Sequence, residues 1–324
     1  MLASVADWFA RRTTAVSDYR AHELAALKAK QGSTVSIVLP ARNEQRTVGA
    51  IITELRTLVP LGLIDQIVVI DSGSTDDTMS VASAAGADVV RQKDLLPQYG
   101  DRPGKGEALW KSLAAATGDL LVFIDADLED FSADFAVGLV GPLLSDPTVA
   151  FVKGMYDRPL AVDGTYYPIG GGRVTELVAR PMLNLFWPEL AGFVQPLGGE
   201  VAARREVLER IPFAGGYGVE LGMLVDLVEL IGVDAMAQVD LGRRVHRHQT
   251  DEALSTMAGQ IMFTAWGRLD RQGRIVQASP PDTRLTQFTR DDAGLRWTTK
   301  DTAVLDRPPL EGVAEYLSRL VLGR

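Results

Sequence analysis

Leu120-Leu121-Val122-Phe123-Ile124-Asp125-Ala126-Asp127 decides how the rest of this chain is read. Five apolar residues in a row predict a strand covered on both faces, as in a parallel sheet. That strand stops in two carboxylates around one small residue. At the open edge of such a sheet, where ligands of α/β folds bind, these oxygens suit a hard divalent cation bridging protein to phosphate. A lone Asp-x-Asp more often just solvates a strand end, so the flanking segments must carry the argument.

Upstream, the pattern alternates. Val35 to Leu39 reads as a strand, Arg46 to Val59 as a helix, Gln66 to Ile70 as a strand and Asp76 to Ala85 as a helix. Ala87 to Val90 is a third strand and Gly106 to Ala116 a helix leading to the fourth strand. Such alternation predicts a parallel sheet. Three strands end in polar runs placed to meet a ligand: Pro40-Ala41-Arg42-Asn43-Glu44, Asp71-Ser72-Gly73-Ser74-Thr75-Asp76-Asp77 and Asp125-Ala126-Asp127.

Downstream the signals are less regular. A strand at Val149 to Val152 precedes a loop carrying Gly164 and the triplet Gly170-Gly171-Gly172. A helix over Val174 to Leu185 follows, interrupted at Pro181. A glycine triplet opening a helix offers free N–H groups and the positive end of the dipole to an anion, and Arg173 and Thr175 add a charge and a hydroxyl. Then come the turn Leu197-Gly198-Gly199-Glu200, a helix Val219 to Ile231, a strand Ala235 to Val239 and the basic turn Arg243-Arg244-Val245-His246-Arg247-His248. Residues 2–30 read as one amphipathic helix, and beyond Gly273 the signals are weak. The expected division is a helical extension (1–32), two functional halves (33–160 and 161–270) and a tail (271–324).

Bulk properties exclude several classes. The 324 residues are 46% hydrophobic and 23% charged, ordinary for a globular protein. A net charge of −9 argues against a nucleic-acid or anionic-membrane surface, so an anionic ligand has to meet a local basic cluster. With zero cysteines, disulfides, thiolate nucleophiles and Cys-ligated metals are absent, which fits a cytoplasmic protein. No secretory signal is expected, because Arg11-Arg12 follow the N-terminal apolar stretch instead of preceding it. No transmembrane segment is expected either: Val219 to Val239 carries Glu220, Asp226, Glu229 and Asp234.

The three strand-end motifs together resemble those of GT-A glycosyltransferases, which use metal-bound nucleotide-diphosphate sugars. Pro103-Gly104-Lys105-Gly106-Glu107-Ala108-Leu109-Trp110, Gly170 through Pro181, Gly215-Gly216-Tyr217-Gly218-Val219-Glu220 and Val245-His246-Arg247 are similar, more specifically, to the glucosyl-3-phosphoglycerate synthases of actinobacteria. The similarity runs from about Ser33 to about Thr264, with an echo at Leu285-Thr286-Gln287-Phe288 and Asp306-Arg307-Pro308-Pro309. It implies an α/β, GT-A type Rossmann-like fold: a mostly parallel sheet flanked by helices, with a smaller acceptor-binding C-terminal part. It also implies a homodimer and a retaining transfer of glucose from UDP-glucose to the 2-hydroxyl of 3-phosphoglycerate, dependent on Mg2+ or Mn2+.

Site roles follow from the resemblance. Asp127 and His246 are the expected metal ligands; in the bland reading His246 is a surface histidine. Pro40, Ala41, Arg42 and Glu44 line the nucleotide pocket, with a turn and helix start as their alternative role. Ser72, Asp125 and Ala126 join the donor site, Asp125 toward the ribose. Lys105 meets the diphosphate or base, although its segment lacks phosphate-loop spacing; the alternative is a solvated loop lysine. Gly172, Arg173, Val174 and Thr175 receive the acceptor, against a surface loop as the bland reading. Arg244 and His248 complete that site, His248 standing where mycobacterial members have asparagine. Glu220 accepts hexose hydroxyls beside Tyr217, though helix-dipole complementarity alone would also explain a glutamate there.

Breaking the anomeric bond builds charge on the departing diphosphate, so cationic groups at that oxygen stabilise the transition state. Asp127, Glu220 and Arg244 are the residues expected to carry the reaction. No enzymic nucleophile is evident, and the resemblance implies front-face substitution with the leaving diphosphate taking the acceptor proton. Competing readings are mannosyl transfer from GDP-mannose and, more remotely, a nucleotidyltransferase or a non-catalytic nucleotide-sugar sensor.

Overall fold

A computed structural model of the chain describes residues 2–157, 160–162, 165–167, 172–243, 250–292 and 294–322. From the N-terminus, α1 (Ala3–Arg12), β1 (Thr13–Ala15) and α2 (Ala21–Gln31) precede β2 (Val35–Ala41), α3 (Val48–Arg56), β3 (Gln66–Asp71), α4 (Thr78–Ala84) and β4 (Asp88–Arg91). Next are α5 (Lys105–Ser112), β5 (Leu120–Phe123), α6 (Asp134–Ser145), β6 (Phe151–Asp157) and a small hairpin, β7 (Leu160–Val162) with β8 (Thr165–Tyr167). A π-helical turn (Thr175–Ala179) runs into α7 (Arg180–Phe186). The chain continues through β9 (Val201–Arg204), α8 (Arg205–Leu208), α9 (Val219–Ile231), β10 (Met236–Arg243), α10 (Asp251–Arg271), the hairpin β11 (Arg284–Asp291) and β12 (Gly294–Asp301), and α11 (Ala314–Leu322).

Eight strands form one sheet in the order β1-β10-β6-β9-β5-β2-β3-β4. β9 alone runs antiparallel, paired to β5 on one side and β6 on the other. The expected alternation therefore builds the β5-β2-β3-β4 side of the sheet. Two apolar clusters cover its two faces. α3 shows why this half is so regular: its buried Val48, Ile51, Ile52 and Leu55 fall on one helical face against the sheet. All of β5 is buried, as a strand between two neighbours must be.

The N-terminal segment corrects the sequence expectation. Residues 2–30 form two helices, and between them Thr13–Ala15 pairs in parallel with Gln238–Asp240 as the outermost strand. The β-branched pair Thr13-Thr14 favours extended backbone and interrupts the helix. α1 is fastened by Trp8, whose ring lies 4.7 Å from that of Phe193 and whose Nε1 donates to the carbonyls of Val233 (2.9 Å) and Met236 (3.1 Å).

The break expected at Pro181 does not occur: helical backbone runs without interruption from Arg173 to Phe186, loosened by a π-helical turn at Thr175–Ala179. Pro181 lies in the first turn of α7, where its missing N–H is tolerated, and the π-helical turn stands just ahead of it. Among the described residues, no helix is long and apolar enough to cross a membrane.

Candidate active site

The carboxyl ends of β2, β3 and β5 open on one side of the sheet into a cleft of about 900 Å³. Its walls include Pro40, Ala41, Arg42, Glu44, Ser72, Lys105, Asp125, Ala126 and Asp127. They also include Gly172, Arg173, Val174, Thr175, Tyr217 and Glu220. Sequence reasoning thus selected residues that the fold brings to a single cavity. Arg244, His246 and His248 lie outside the described residues, as do Gly170 and Gly171.

Local hydrogen bonds explain how the strand ends hold their shape. Asn43 takes a left-handed conformation (φ 59°); its N–H donates to Ser74 Oγ (2.9 Å) and its Oδ1 accepts from the Thr75 N–H (2.8 Å). This clasp joins the loops after β2 and β3. Buried Asp71 accepts the N–H groups of Gly73 (3.1 Å) and Ser74 (3.3 Å), so it shapes its own loop. The Asp-Ala-Asp turn is anchored by Thr47, whose hydroxyl donates to the Ala126 carbonyl at 2.6 Å. Ser72 Oγ donates to Gln92 Oε1 (2.8 Å), and Gln92 in turn donates to Asp101 (2.8 Å) and to the carbonyl of Arg102 (2.9 Å).

Lys105 is the first residue of α5 and no solvated loop lysine. Its ammonium lies between Asp125, in a short ion pair, and Glu220 Oε1 at 3.1 Å. The flanking glycines account for this position. Gly104 has φ 109°, and a Cβ there would come within 2.9 Å of Gly216 Cα, so only glycine lets the two loops touch. A Cβ at Gly199 would meet the ends of the Asp125 and Lys105 side chains, so this loop packs directly against their ion pair. Burial by itself would depress the Lys105 pKa, but Asp125 and Glu220 outweigh it and hold the group above its ordinary value. The cleft therefore has a charged floor, one fixed cation between two carboxylates.

On the opposite wall Gly172 has φ 92° where the chain turns into the helix, and Thr175 is buried. Arg173 forms a short ion pair with Asp251 at the start of α10. The Tyr217 N–H donates to Gln260 Oε1 at 2.9 Å, tying the Gly216–Gly218 turn to that helix.

This geometry can be set beside known proteins. Residues 36–182 match the family model "Glycosyl transferase family 2". The glucosyl-3-phosphoglycerate synthase of Mycolicibacterium smegmatis is 48% identical over 282 residues, spanning 87% of this chain and 90% of that protein. The chain belongs to the glucosyl-3-phosphoglycerate synthase family. The crystal structure of the Mycobacterium tuberculosis synthase with Mn2+, UDP-glucose and phosphoglyceric acid superposes with a TM-score of 0.79 at 45% identity, covering 90% of this chain and 95% of that one. A structure of the same synthase with Mg2+ and UDP gives a TM-score of 0.81 at 44% identity, covering 93% and 98%. The mannosyl-3-phosphoglycerate synthase of Rubrobacter xylanophilus reaches 0.89 at 43% identity, covering 96% and 98%.

Within this synthase-family cleft, sequence reasoning missed one whole wall. Leu254, Met257, Gln260 and Ile261 of α10 line it, with Gln92, Arg102 and Gly199 on the other side. A signal for α10 exists in Thr250-Asp251-Glu252, a cap and acidic first turn ahead of apolar residues at helical spacing. The Thr250 hydroxyl indeed accepts the Ala253 N–H.

Proposed function

We propose that this protein transfers glucose from UDP-glucose to the 2-hydroxyl of 3-phosphoglycerate. One observation carries the reading: a single cleft joins the acidic end of β5 to the glycine-opened, Arg173- and Thr175-bearing wall, with Lys105 and Glu220 between them. Diphosphate, hexose and phosphorylated acceptor require those environments in that order.

Asp127 is a hard oxygen donor at the end of β5 and, with His246, is the pair that would hold the cation. A bound Mg2+ or Mn2+ supplies charge neutralisation at the diphosphate. Pro40, Ala41, Arg42, Glu44 and Ser72 seat the nucleoside beyond β2 and β3. Asp125 reaches the ribose. Glu220 accepts hexose hydroxyls and Lys105 fixes the orientation of both carboxylates. Gly172, Arg173 and Thr175 hold the acceptor, with Arg244 and His248 completing its charge partners. Retention of configuration follows if the acceptor attacks on the face the diphosphate leaves, its proton passing to the departing phosphate oxygen. In that route no side chain acts as nucleophile or general base, and catalysis is positioning and electrostatics. A cytoplasmic homodimer, acting on these small anions and not on nucleic acid, completes the reading, consistent with an acidic chain devoid of cysteine.

The likeness to the Rubrobacter mannosyl synthase favours a second reading, mannose from GDP-mannose. A panel of UDP-glucose, GDP-glucose and GDP-mannose with 3-phosphoglycerate and Mn2+ or Mg2+, read by product mass spectrometry, separates the two. UDP-glucose should give the highest kcat/KM and glucosyl-3-phosphoglycerate as product. Preference for GDP-mannose would transfer the conclusion to the rival, and no product from any donor would sink both.

A further inference from the structure

Gln92 lines the donor side of the cleft, yet it is 3% exposed and its side-chain amide is engaged by the protein itself. It opens the short turn after β4. Its nitrogen faces two acceptors, Asp101 Oδ1 at 2.8 Å and the Arg102 carbonyl at 2.9 Å, which use both amide hydrogens. The orientation of the amide is therefore fixed, with Oε1 toward Ser72. Lys111, wholly buried on α5, braces the arrangement by donating to the Gln92 backbone carbonyl (3.1 Å) and to Asp101 (3.0 Å). Burial alone would raise the Asp101 pKa, but Gln92 and Lys111 outweigh it and hold the carboxylate below its ordinary value, so it stays an acceptor.

That fixed amide decides the polarity of Ser72. Between Ser72 Oγ and Gln92 Oε1, 2.8 Å apart, only the hydroxyl has a proton to give. Ser72 therefore meets the cleft with lone pairs alone, and among the described residues nothing donates to them. A hydroxyl usually rotates to suit a donor or an acceptor; this one cannot do so without leaving a buried carbonyl oxygen unpaired. Its place in the sheet indicates what it meets. Ser72 follows β3, which stands two strands from β5, roughly 10 Å away. A nucleotide held by its diphosphate at Asp125-Ala126-Asp127 extends its base in that direction.

We propose that Gln92 is a positioning residue that sets base specificity: by holding the Ser72 proton it leaves an oxygen that can only accept, and so selects a base whose pairing edge carries a ring N–H. Uracil offers N3–H to such an oxygen. Cytosine turns a bare N3 to it, which sets two acceptors face to face with no proton between them. Guanine also carries a ring N–H, so this device discriminates between the pyrimidines and not against guanine. The inference rests on the uridine-donor reading proposed above, with Ser72 meeting the base.

The test measures the Kd of UDP and of CDP, each with Mn2+, and reads their ratio. Wild type should bind UDP roughly 10- to 100-fold more tightly than CDP, the span that one unmade hydrogen bond between buried polar groups gives. Gln92→Met frees the Ser72 proton to turn toward either base, and the ratio should narrow to roughly threefold. Ser72→Ala should narrow it as far, and Gln92→Met should narrow it no further in a Ser72→Ala background. A merely structural role for Gln92 would instead weaken UDP and CDP together and keep the ratio. Should Gln92→Met fail to fold, a crystal structure of the wild type with UDP and Mn2+ decides: Ser72 Oγ within about 3.2 Å of both Gln92 Oε1 and uracil N3 is expected, and a uracil N3 bonded elsewhere refutes the relay. A UDP preference that survives Gln92→Met overturns the relay alone, whereas a wild type that binds neither nucleotide overturns the donor reading as well.

Discussion

Glu107 is carried by α5 into the interior, where Arg307 meets it with a fork of two bonds, Nε to Oε2 at 2.6 Å and Nη2 to Oε1 at 2.7 Å. Arg307 also donates to the Tyr99 carbonyl (2.7 Å) and stacks on Trp110 at 5.1 Å. Changing Arg307 to Met strands the Glu107 charge, with Lys111 at 3.3 Å as partial compensation. The unfolding free energy in urea should fall by about 3 kcal/mol. Asp127→Asn should reduce kcat/KM by roughly 10²-fold or more. Lys153 predicts a pH effect. Burial holds its folded pKa at about 8, below the usual lysine value of 10.5. Between those values the unfolded chain binds a proton that the folded chain lacks, so stability contributed by this site rises with pH across that window. Urea midpoints at pH 7.5 and 10 should therefore favour the wild type progressively over Lys153→Met; parallel shifts would refute this.

Trp8 fastens α1 to the molecule, being 1% exposed with its indole N–H shared by two carbonyls. Trp8→Ala should cost about 3–5 kcal/mol in thermal or chemical unfolding. Elements of the β2-to-β5 run were legible because burial and polarity alternate there in long blocks: β2 is buried along nearly its whole length and then breaks into Arg42-Asn43-Glu44. β1 was not legible, since three residues show no period. The hairpin of β11 and β12 was hidden for another reason: its residues are mostly exposed, Phe288 at 66% and Trp297 at 69%, so no buried face marks it. Of the cleft, the strand-end residues and the Gly172–Thr175 turn could be read from local chemistry. The α10 wall could not, because Leu254, Met257 and Ile261 look like ordinary core residues until the fold brings them opposite β2.

The whole chain carries a net charge of −9, and its cleft sets Arg42, Arg102, Lys105 and Arg173 beside Glu44, Asp101, Asp125, Asp127 and Glu220, so cationic groups and hard oxygen donors share one pocket. Binding there should be visible as stability. At about 100 times its Kd, UDP with Mn2+ should add about 2.7 kcal/mol to the unfolding free energy, and excess chelator should reverse the gain. An unchanged melting temperature would contradict nucleotide–metal binding in this cleft. The outermost strand also gives the molecule a timetable. Thr13 finds its partner Gln238 only 225 residues later in the chain. At roughly 5–20 residues per second on a ribosome, that partner is synthesised some 10–45 seconds after the strand itself. β1 is thus made long before the strand it pairs with, and is among the last to be closed into the sheet. During that interval Trp8 and Thr13–Ala15 lack the partners they meet in the folded chain, Phe193, Val233 and the Gln238–Asp240 segment.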